Sequence, residues 1–165
     1  MPDITVANTD WSILADVRDA LASAAIGGQA VFASVALTTS PQQARECHFR
    51  TSPAAVVRYL GTHQQPTPDE HLACRVEMEV LLAVKVPAGV DESARLQEIL
   101  RLANAARNAV GAARPAAACD WGDGRHAMPA VAFAPPSLDT AESAPWAIAA
   151  LPLSVTYTLD GPTAN

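Results

Sequence analysis

The sequence predicts an α+β fold: a mostly antiparallel sheet, two helices packed on one face, and one long strand or hairpin arm. Three observations carry that prediction. From Leu72 to Val86 every second residue is apolar (Leu72, Cys74, Val76, Met78, Val80, Leu82, Val84, Val86), with Ala73, Arg75, Glu77, Glu79, Leu81, Ala83 and Lys85 between them. Successive strand side chains point to opposite faces, so the run is apolar on one side and wetter on the other. A helix would spread the same residues around its whole circumference. The segment Ala147 to Leu159 alternates in the same way through Leu151, Leu153, Val155, Tyr157 and Leu159. Two segments of helical period separate the strand-like runs, the pattern of strands clustered and then interrupted that belongs to α+β proteins.

Taken in order, Thr9 or Asp10 caps a first helix whose core-facing residues are Trp11, Leu14, Val17, Leu21 and Ala25, and Gly27-Gly28 stops it. Gln29 to Thr38 is rich in β-formers and reads as a strand. Ser40 to Gln42 breaks it, and Gln43 to Ser52 allows a short helical turn. Pro53 to Gly61 reads as a second strand, with Val56, Arg58 and Leu60 on one face and Val57 and Tyr59 on the other. Thr62 to His71 is polar, holds two prolines and reads as a loop. The long strand follows. At about 3.3 Å per residue it reaches roughly 50 Å, well beyond usual strand length, which implies a bend, a bulge or a projecting arm.

After Pro87, Asp91 or Ser93 caps a second helix, with Leu96, Ile99, Leu100, Ala103, Ala106 and Val110 on its inner face and Gly111 at its end. Residues 112–128 read as loop, Pro129 to Ala134 as a short strand broken by Pro135-Pro136, and Ala147 to Leu159 as the closing strand. Pro152 lacks an amide hydrogen, so it belongs at an edge, a bend or a strand start.

The 165 residues suggest one domain, 1–165, with residues 1–9 and 160–165 as tails. A net charge of −6 argues against a general surface for DNA, RNA or anionic membrane, which needs clustered Lys and Arg. Cys47, Cys74 and Cys119 are odd in number and unpaired by spacing, which suggests reduced thiols in a protein made in the cytoplasm. Met1-Pro2-Asp3 does not open a signal peptide, and no run approaches the roughly 20 apolar residues of a membrane span.

Candidate chemistry is sparse. His63 and His71 share a polar segment with Asp69 and Glu70, but their spacing is irregular for metal ligation. Cys119, Asp120, Asp123 and His126 combine thiol, carboxylate and imidazole, a set suited to zinc or to an activated nucleophile; the two intervening glycines fit a structured turn equally well. Glu77 and Glu79 lie two apart on a strand and point the same way, as paired acid–base carboxylates would. With Arg58, Arg75 and Lys85 nearby in the pattern, the plainer reading is a hydrated face or a subunit contact. There is no phosphate loop, dinucleotide fingerprint, nucleophile elbow or zinc-protease helix.

In layout the chain resembles the tail terminator and minor tail (tail-completion) proteins of tailed bacteriophages. The features that carry the resemblance are the helix from Trp11 to Ala25, the strand VVRYLG, the long strand CRVEMEVLLAVKV, the helix ARLQEILRLANAARNAV and the closing strand WAIAALPLSVTYTLDG, spread over residues 10–161. The resemblance implies a non-enzymatic virion protein with no cofactor or metal. Such proteins form a ring, usually a hexamer, that caps the head-proximal end of the tail tube. Its partners are its own copies, the tube protein and the head-completion or neck protein, and genomic DNA passes through its channel without specific binding. Arg58, Arg75, Glu77, Glu79 and Lys85 are then the candidate subunit-interface residues. Competing expectations are another head–tail connector or tube protein, a small metal-dependent enzyme built on Cys119, Asp123 and His126, and a ligand-binding domain with a deep apolar pocket under its sheet.

Overall fold

The computed structural model describes residues 9–43, 50–68, 72–113, 130–141 and 145–159. Its centre is the alternating run: strand β5 (Leu72–Lys85) is paired on both sides along nearly its full length. Strand β4 (Ala54–Pro66) lies antiparallel on one side, from Ala54↔Ala83 to Pro66↔Leu72. Strand β8 (Trp146–Leu159) lies antiparallel on the other, from Lys85↔Trp146 to Leu72↔Leu159. Outside β4, strand β3 (Ser34–Thr38) pairs in parallel with Ala54 to Arg58. Outside β8 run two short strands, β6 (Ala130–Phe133) and β7 (Ser137–Asp139). The sheet is therefore six-stranded and, apart from β3 with β4, antiparallel.

Two long helices cover one face. Helix α1 (Thr9–Ala22) buries Ile13, Leu14, Val17 and Leu21, and helix α2 (Glu92–Ala113) buries Ile99, Leu102, Ala103, Ala106 and Val110. These stripes meet the even-numbered residues of β5 from Cys74 to Val84, Ala55 and Val57 of β4, and the odd-numbered residues of β8 from Ala147 to Tyr157 in one core. The Asp91 carboxylate accepts a hydrogen bond from the Ala94 amide at 2.8 Å, the N-cap expected of α2. On the opposite face Ala54, Val56 and Ala83 are also buried, so the sheet is closed on both sides near that end.

Several local expectations are corrected. Trp11, expected inward, is 51% exposed: at 100° per residue it lies about 140°, well over a third of a turn, from the stripe centred on Ile13 and Val17. In α2 the same geometry puts Leu96 and Leu100 at the margin, both 37% exposed, and brings Leu102 inside. Helix α1 ends before Gly27-Gly28. Those two glycines, both at positive φ, form the two-residue turn of a small hairpin of β1 (Ala25–Ile26) and β2 (Gln29–Ala30), so Ala25 is outside the core. The single strand expected over Gln29 to Thr38 is thereby divided, with Val31 and Phe32 buried between β2 and β3. Gly111 lies within α2, which continues to Ala113. Of the expected Thr62–His71 loop, Thr62 to Pro66 is strand, because β4 continues to Pro66, and residues 69–71 lie outside the described residues; polar composition misled where one pairing partner suffices to hold a strand. The 1–8 and 160–165 tails lie outside the described residues.

One irregularity in β4 sets the positions of its outer half. Tyr59 faces Met78, and the next pair is Gly61↔Glu77, so Leu60 is an extra residue bulging from the ladder and 48% exposed. Gly61 takes φ 145°, a backbone region that side chains disfavour. The bulge changes the phase of the strand, so that Tyr59 and Thr62 both face the helix side. Pro152, expected at an edge, a bend or a strand start, sits in mid-strand β8. Its carbonyl accepts from the Ala134 amide at 3.0 Å on the outer side, and N and C=O of one strand residue share a side. Its missing amide hydrogen thus points to the gap between β6 and β7, where no ladder bond is required.

Replacing Gly61 with alanine keeps the sequence pattern but forces a side chain into that backbone region. The expected result is a loss of about 1–3 kcal/mol, read as a lower urea midpoint with an unchanged slope.

Candidate functional site

The sheet face away from the helices carries the charged residues of the long hairpin. Register sets their neighbours. Arg58 lies directly across from Glu79, and its Nη1 is 3.4 Å from the Glu79 carboxylate. Glu77 lies across from Gly61, which has no side chain. That opening leaves the carboxylate to partners further along: Arg75 Nη2 at 2.6 Å and His63 Nε2 at 3.2 Å. The result is a ladder carrying both signs, Arg58–Glu79 and then Glu77 with Arg75 and His63, along the outer face of β4 and β5. Opposite-charge neighbours on one sheet face support pairing, each by a fraction of a kcal/mol where exposed.

Of the five sequence-predicted interface residues, the structure thus brings four together. Lys85 is six positions from Glu79, about 20 Å along the strand, and its side chain is exposed at the end of β5. Among the described residues its backbone is engaged, the Lys85 amide donating to Ser52 Oγ at 2.8 Å. Sequence reasoning also missed His63, because its segment read as loop. Each glutamate already has a cationic neighbour, so the chemistry available to the ladder is exchange of ion-pair partners with an approaching surface. Beside it, Leu60, Phe133 and Pro152 help line a groove of about 330 Å³.

On the helix side a second polar group is built around Asp10, in the first turn of α1, where the positive end of the helix favours a carboxylate. Tyr157 donates its hydroxyl to Asp10 Oδ1 at 2.9 Å, and Thr62 donates to Oδ2 at 2.6 Å. Tyr59 in turn lies 2.8 Å from the Thr62 hydroxyl, which has given its own proton to Asp10 and so accepts. One carboxylate therefore joins the start of α1 to β4 and β8 across the intervening β5. Burial and the adjacent Asp10 charge raise the Tyr157 phenol well above its ordinary pKa. Cys74, buried beside them, is likewise raised, first by burial. The only hint of this group in the sequence is a tyrosine in the apolar phase of β8, whose hydroxyl needs a partner once buried.

Among the described residues no His, Cys, Asp and Glu cluster could hold a metal ion. Cys119, Asp120, Asp123 and His126 lie outside the described residues, as do Asp69, Glu70 and His71. No helix is long and apolar enough to cross a membrane among the described residues. No protein-family model and no curated protein matches this chain.

Two outcomes follow from the Asp10 group. Tyr157→Phe removes a hydrogen bond to a charged acceptor and is expected to lower unfolding free energy by about 1.5–3 kcal/mol in urea titration. In the wild-type chain Tyr157 keeps its proton when folded and loses it more readily when unfolded, so the native state binds more protons at alkaline pH. Its stabilisation is complete below pH 10.0, the free-tyrosine value, and declines as pH rises above it. Tyr157→Phe should flatten that decline in melts taken across the alkaline range.

Proposed function

We infer that the chain is a non-enzymatic building block of a virus tail, a tail terminator whose copies form a ring on the head-proximal end of the tail tube and join it to the neck. The observation that carries this reading is the hairpin of β4 and β5. It is backed by helices on one face only, and on the other it presents a half-exposed ladder of both charge signs. A surface carrying both signs can meet a different patch of a neighbouring copy by exchanging partners, its arginines (Arg58, Arg75) facing acidic groups there and its glutamates (Glu77, Glu79) basic ones. A single repeated contact between two different patches closes into a ring when its rotation divides a full turn. The order of elements supports the same reading: a leading helix, a long two-faced strand, a second helix and a closing strand. The net charge of −6 suits a channel through which DNA passes without adhering, if acidic groups line it.

Deleting the gene from the viral genome that carries it, followed by electron microscopy of the particles, tests this reading. Heads separated from tails of uncontrolled length are expected. Joined particles with tails of normal length would overturn it.

A further inference from the structure

We draw no further inference here: the strongest candidate, the groove between helix α1 and strand β3 lined by Trp11, Leu14, Val35 and Leu37, has its charged groups already engaged, Asp10 by Tyr157 and Thr62 and Arg18 by Asp19, and nothing in the structure shows what covers it.

Discussion

The structure depends on one constraint: β5 must bury every second side chain while its backbone is hydrogen-bonded on both sides. Cys74, Val76, Met78, Val80, Leu82 and Val84 are all nearly inaccessible, and a slip of one residue would put Arg75, Glu77 and Glu79 among the helices. That penalty fixes the register of β4 and β8 against β5, and so fixes which charges become neighbours on the other face. The ladder of Arg58, Glu79, Glu77 and Arg75 is a by-product of core packing, and the same packing holds it rigid enough to serve as a surface.

One departure from regularity gives the sheet its particular form. The bulge at Leu60 turns Thr62 toward the helices, where it reaches Asp10 and ties the start of α1 to the hairpin. Without the extra residue Thr62 would face the charged side, and the carboxylate would lose one of its two hydroxyl donors. Gly61 serves this bulge twice, through its backbone conformation and through the space it leaves opposite Glu77. Opposite-face chemistry is thus coupled through a single backbone irregularity.

The sequence made the main architecture legible because alternation and helical period are local signals. The β5 and β8 boundaries to within one residue, Asp91 as one of two cap candidates beside Ser93, and most of the α2 stripe could be read from spacing. What could not be read depends on partners distant in the chain. The continuation of β4 to Pro66 is held by Leu72 to Val76 across the hairpin, against a composition that suggests loop. The parallel placement of β3 and the brief strand β7 have no signature in their own residues. Of the charged set, the sequence showed which residues share a face of β5; it did not show that His63 joins them, that Lys85 stands apart, or that Asp10 and Tyr157, 147 positions apart, meet on the far side.

The two lateral margins of the sheet differ in kind. Along β8 the margin is split into two short strands separated by Pro135 and Pro136, facing a residue that has no amide hydrogen to offer. Such a margin cannot template a long added strand. At the β3 side the backbone is uninterrupted by proline from Ser34 to Thr38. Among the described residues, growth by strand addition therefore has a polarity: one flank is terminated by its own covalent chemistry, and the opposite flank keeps an unbroken strand edge.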